Sequence, residues 1–313
     1  MSCTRPLTAY RSQGGQISFR KSQGWSDRQL SLPCGQCQHC RLSRRREWAV
    51  RIVHEAQLHD RNCFLTLTYD EDHLPKDGSL NKLHFQKFIR KWRKRLPGGQ
   101  TLRYFHCGEY GDENKRPHYH AIIFGHDFSE DREFFKNSGE SKLYVSPSLM
   151  ELWHYGWHTI GDVTWQSASY VARYVMKKRS SPSSADPAIL ERQQGEYDDA
   201  YLRVNGETGE MWHVEPEYVT MSRKPGIGLK WFEKFRDDVF PRDEVIIDGQ
   251  RYSPPRYYDN QLDQVELDQV KAKRKQRAAE AKEDLTLKRL RDMENVLEGR
   301  ERFYATAGKR RRV

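Results

Sequence analysis

Residues 101–125 constrain the fold of this chain more than any other stretch. Segment 101–109 reads as a strand, Gly111-Asp112-Glu113-Asn114 as a turn, and 117–125 as a returning strand. Pro117 suits the first position of that strand, and the apolar run Ala121-Ile122-Ile123-Phe124 requires it to be buried. Strand side chains alternate with period two, so His118 and His120 share one face. The midpoint between Glu109 and His118 falls at Glu113–Asn114, so pairing brings the Glu109 carboxylate near both rings.

The remaining elements can be placed around this hairpin. Helices are expected over 41–60, 82–96, about 146–154, 167–178 and 228–238, and strands over 64–69, 157–165 and 217–221. The 82–96 helix is amphipathic and basic, and Pro97-Gly98-Gly99 ends it. Residues 1–33 read as irregular, 180–187 as a Ser/Pro linker and 190–215 as a polar excursion. Beyond 260 a solvated charged helix leads to a basic tail, Lys309-Arg310-Arg311-Arg312. The pattern predicts an α+β fold, a mainly antiparallel five-stranded sheet with helices packed on it. The expected divisions are a Cys-rich segment over 1–40, a main domain over 41–240 with a polar insertion at about 180–215, and a charged extension over 241–313.

Composition narrows the partner. Hydrophobic residues make up 36 % of the 313 and charged residues 31 %, so the core is limited. The net charge is +10, which favours a polyanion, and 12 % aromatics offer rings for bases to stack on. No apolar run approaches a membrane span and no signal-peptide core is visible, so a soluble intracellular protein with no membrane partner is expected. No G-x-x-x-x-G-K-[ST] is present, so any strand separation would fall to a host helicase.

Three groups of residues carry chemistry. His118, His120 and Glu109 form a two-imidazole, one-carboxylate set that suits a divalent ion with open positions; the same residues can also be packed strand histidines and an arginine partner. Tyr170 and Tyr174, four apart in Tyr170-Val171-Ala172-Arg173-Tyr174, share a helix face, with Val171 and Val175 left to serve the core. Lys177 follows on that face, where a cation lowers a phenol pKa, neutralises a phosphate or donates a proton; it also suits a helix C-terminus. Cys34, Cys37 and Cys40 form C-x-x-C-x-x-C. With Cys3 they can complete a tetrahedral Zn²⁺ site; His39 is a substitute fourth ligand, and an iron–sulfur cluster or free thiols are the alternatives. Cys63 and Cys107 read as core residues.

The order His118-Tyr119-His120, then Tyr170-Val171-Ala172-Arg173-Tyr174-Val175-Met176-Lys177, resembles HUH endonucleases of the two-tyrosine class. Within that class it is most similar to replication initiators of gokushovirus-type microviruses, which are single-stranded DNA phages. Pro33-Cys34-Gly35-Gln36-Cys37, Phe64–Tyr69, Cys107–Gly111 and Ser222–Gly228 agree, and the likeness spans about residues 3 to 235. The resemblance implies Mg²⁺ or Mn²⁺ on His118, His120 and Glu109, and Tyr170 or Tyr174 attacking single-stranded origin DNA. It further implies a 5′-phosphotyrosine link, a 3′-OH for a host polymerase, and action in the cytoplasm of a bacterial host. A plasmid mobilisation relaxase and a non-enzymatic zinc-containing nucleic-acid-binding protein are the competing expectations.

Overall fold

The structure, a computed structural model, describes residues 3–12, 14–24, 29–98, 100–111, 114–177, 187–240, 242–281 and 284–310. The chain packs as two compact units, Glu47–Gln261 and a second made of Met1–Arg46 with Leu262–Val313. Among the described residues no helix is long and apolar enough to cross a membrane.

The Glu47–Gln261 unit is built on one fully antiparallel sheet. Its strands run in the order Tyr218–Met221, Arg103–Tyr110, Pro117–Phe124, Asn62–Thr68, His158–Gly161, Ser141–Val145, Glu133–Ser138. The α+β class and the antiparallel sheet are as expected, but the sheet has seven strands, not five. The two additional strands form the Glu133–Ser138/Ser141–Val145 hairpin, joined to the rest through Tyr144 opposite Ile160. Every residue of Glu133–Ser138 is exposed, so this edge strand carries no buried alternation to announce it.

Period-two alternation sorts the central strands onto two faces. Cys63, Leu65, Leu67, Tyr119, Ala121 and Ile123 pack on one side against Phe85, Phe88, Ile89 and Trp92 of the Lys82–Arg95 helix. On the other side Phe105, Cys107, Ile122 and Phe124 meet Ala49 and Ile52, and Ala168, Val171 and Ala172 of the Trp165–Ala172 helix. The sheet is therefore sandwiched between helices. A large apolar side chain buried this way contributes roughly 1.5–3 kcal/mol. Val171, fully buried, is thus the main anchor of the tyrosine-bearing helix. Cys63 and Cys107 lie in these layers as expected.

Other expectations need revision. The first 33 residues hold a three-stranded sheet, Ile17–Ser18, Leu7–Arg11 and Gln29–Leu32, rather than irregular chain. The strand expected over 157–165 ends at Gly161. Thr164 then caps the next helix, trading hydrogen bonds with Ser167 in a capping box that starts it at Trp165. The 190–215 excursion is ordered as the Pro187–Tyr201 helix and a short ladder, Leu202–Val204 with Met211–His213. Two helices, Gln264–Ala281 and Leu287–Arg310, replace the single one expected after 260. The Ser/Pro linker from Ser180 to Ala185, Asp112 and Glu113 of the turn, and the last three tail residues lie outside the described residues.

Candidate active site

Three adjacent central strands and one helix build the site. In the hairpin Glu109 lies directly opposite His118, and Cys107 opposite His120. The neighbouring strand sets Thr66 opposite His120. These positions share the face covered by the Trp165–Ala172 helix, which delivers Tyr170 onto them.

The donors converge tightly. His118 Nε2 and His120 Nε2 each lie 2.9 Å from Glu109 Oε1. The opposite ring nitrogens are engaged: His118 Nδ1 donates to the Arg116 carbonyl at 3.1 Å, and His120 Nδ1 pairs with Thr66 Oγ1 at 3.1 Å. A carbonyl only accepts, so the neutral His118 ring keeps its Nε2 lone pair turned toward the carboxylate. Lone pairs facing a carboxylate repel unless a cation or a proton lies between them. The three donor atoms lie within 4.8 Å of one another, a set that fits one divalent ion with open positions.

Electrostatics support that reading. Burial alone would raise the Glu109 carboxyl, yet hydrogen bonds from His118 and His120 outweigh it and hold the group well below the usual carboxylate range. Burial pushes the His120 imidazole down, so the ring is neutral and fit to be a ligand.

The two tyrosines are not equivalent. The Tyr170 hydroxyl is 3.4 Å from both Glu109 Oε1 and His120 Nε2, and its side chain is half-buried. Tyr174 is 1 % exposed and its ring stacks near His120, with centroids 6.0 Å apart. Burial, followed by the Glu109 charge, pushes both phenols up from their ordinary value. The expected single helix over 167–178 is divided into Trp165–Ala172 and Tyr174–Lys177, with Arg173 between them in right-handed helical geometry. The rings nevertheless stay adjacent, 5.4 Å between centroids.

Arg173 is the residue that sequence reasoning missed. Its guanidinium carbon lies 4.7 Å from the Tyr170 ring and 4.9 Å from the Tyr174 ring, and its Nη2 donates to the Tyr174 hydroxyl at 2.6 Å. The signal was present: Arg173 follows Tyr170 by three, the same spacing that singled out Lys177 after Tyr174. Lys177 closes the short helix, and its side chain lies outside the described residues. The four cysteines gather in the other unit; His39 is not among that group.

Comparison with known proteins places this geometry. The chain is 33 % identical over 268 residues to the replication-associated protein VP4 of Bdellovibrio phage phiMH2K, covering 83 % of this chain and 76 % of that one. This chain belongs to the family of phage replication-associated proteins. A further member, the replication-associated protein ORF2 of Spiroplasma virus 4, is 29 % identical over 88 % of this chain and 86 % of its own length. The ORF4 protein of Chlamydia phage 1 is 29 % identical over 74 % of this chain and 53 % of its own. The family model for replication-associated protein ORF2 matches residues 62–179, a span that contains Glu109, His118, His120, Tyr170 and Tyr174. No solved structure matches the chain.

Proposed function

We propose that this chain is an origin-specific, single-strand DNA nickase and strand-transferase that starts and ends rolling-circle replication through a 5′-phosphotyrosine link. The observation that carries the reading is the Tyr170 hydroxyl, 3.4 Å from two of three convergent donor atoms. Mg²⁺ or Mn²⁺ held by Glu109, His118 and His120 would polarise the scissile phosphate and offset the carboxylate charge that keeps the phenols protonated.

The chain's own residues supply the rest. The Tyr170 oxygen forms a bond to phosphorus, the bond from phosphorus to the 3′ oxygen breaks, and the proton lost by the phenol balances the one gained by that oxygen. One phosphodiester replaces another, so no nucleotide or water is consumed and the step can run backwards. The Glu109 carboxyl is held too acidic to act as a base; its role is charge and coordination. Arg173 supplies a fixed positive charge beside both rings, suited to the non-bridging phosphate oxygens. Tyr174 is the second nucleophile, which cuts the regenerated origin after one round. The free 3′-OH serves a host polymerase, and strand separation falls to a host helicase in the host cytoplasm. The basic helix Lys82–Arg95 contributes phosphate contacts along the strand.

The test is a denaturing gel of an origin oligonucleotide incubated with Mn²⁺ and wild-type protein or the Tyr170→Phe/Tyr174→Phe double variant. A covalent protein–DNA band is expected from the wild type alone. Mass spectrometry should find the joined nucleotide on the peptide carrying Tyr170 or Tyr174. A band of unchanged intensity from the double variant would overturn the proposal.

A further inference from the structure

We infer that Cys3, Cys34, Cys37 and Cys40 bind one Zn²⁺ ion, and that the fold of the unit formed by Met1–Arg46 with Leu262–Val313 rests on it. The four Sγ atoms lie within 4.8 Å of one another, and all four residues are free thiols. Cys3 Sγ is 3.5 Å from Cys34 Sγ and 3.7 Å from Cys37 Sγ. A Zn–S bond of about 2.3 Å sets a tetrahedron edge of about 3.8 Å, whereas a disulfide needs about 2.0 Å. The sulfurs are thus spaced for a shared ion. An iron–sulfur cluster interposes several metal and sulfide atoms and needs its thiolates farther apart than this group allows.

The backbone prepares the site. The Cys34 N–H points to Cys3 Sγ at 3.3 Å, and the Gln36 and Cys37 N–H groups point to Cys34 Sγ at 3.4 and 3.2 Å. Such donors favour the thiolate, the form that binds zinc. Gly35, at φ +72°, lets the chain turn back so that those N–H groups face inward. Cys40 then falls in the first turn of the Gln38–Ala56 helix, three residues past Cys37 and on its face.

An independent observation explains why an ion is needed. The three clusters of buried apolar side chains draw only on residues of the Glu47–Gln261 unit. Among the described residues, the other unit buries only Ala9, Cys37, Val270 and Leu290 of its apolar side chains. Apart from short ladders and a few ion pairs such as Arg5–Glu294 at 2.8 Å, little else holds it. A module without a core needs a staple, and a structural zinc site provides one.

The experiment uses the full chain, purified reduced and dialysed against EDTA. Native mass spectrometry and elemental analysis should show one zinc per chain, retained equally by a His118→Ala/His120→Ala variant. A mercurial thiol reagent should release it. Trypsin should then cut within residues 3–46 at least about tenfold faster while the 47–261 segment stays resistant, a local opening that follows from losing the staple. A Cys63→Ser variant should keep its zinc. Three results would overturn the inference: a folded, reduced chain that takes up no zinc, zinc that disappears with the histidines, or release that leaves the tryptic pattern unchanged. Because the first measurement is on wild-type protein, it does not depend on any cysteine variant folding.

Discussion

Tyr170 should make the first cut, and the preference has a size. To attack phosphorus, Tyr174 must give up the Arg173 Nη2 hydrogen bond at 2.6 Å, while Tyr170 already stands at the donor cluster on the more open side. A hydrogen bond to a charged group contributes about 1.5–3 kcal/mol, which at 1.36 kcal/mol per decade is a rate penalty of about 10- to 150-fold. Tyr170→Phe should therefore slow formation of the first covalent adduct by that factor. The residual adduct should map to Tyr174. Tyr174→Phe should leave the first cut within about twofold of wild type, since no contact of the Tyr170 hydroxyl is lost to it, but should block the second cut on a two-origin substrate. Single-turnover kinetics on a short oligonucleotide, with peptide mapping of each adduct, measures all of this. Equal slowing by the two substitutions, or a faster first cut by Tyr170→Phe, would show that the arginine contact does not rank the nucleophiles.

Three further outcomes are expected. Thr66→Val removes the partner of His120 Nδ1 and should weaken Mn²⁺ binding by about 10- to 100-fold, with nicking restored at higher Mn²⁺; titration of activity against Mn²⁺ reads this directly. Gly156→Ala should abolish folding: φ is +148° and the new Cβ would lie 2.2 Å from Asp70 N, a backbone clash costing more than about 3 kcal/mol, visible as lost soluble protein or a collapsed urea midpoint. His158, which accepts from the Ser146 N–H, is pushed by burial from 6.5 down to about 4. The folded ring resists protonation, so its contribution is complete above pH 6.5 and is lost as the pH falls toward 4, up to about 3 kcal/mol. Urea unfolding of wild type should show that loss, and His158→Gln should not; parallel pH curves for the two would refute it.

The site was more legible in the sequence than the periphery was. Pairing of Glu109 with His118 follows from counting to a turn, and the tyrosine pair from helical spacing, because both are local periodicities with few alternatives. What escaped has a physical cause in each case. The Glu133–Ser138 strand is exposed along its whole length, so no buried alternation marks it. The strands of the first 33 residues are short, and Leu7–Arg11 buries only Ala9 fully. The role of Arg173 depends on two rings closing around one cation, a tertiary arrangement that residue spacing hints at without deciding.

Glu109, His118, His120 and Thr66 come from three neighbouring strands whose hydrogen-bonded alignment sets every separation. Deleting or inserting a single residue within any of them would turn its reactive group to the opposite layer. Lengthening a connecting loop would disturb nothing. Tolerance to insertional mutagenesis across this chain should therefore be sharply banded, with the central ladder forming a block that can be transplanted whole between scaffolds but not remodelled strand by strand.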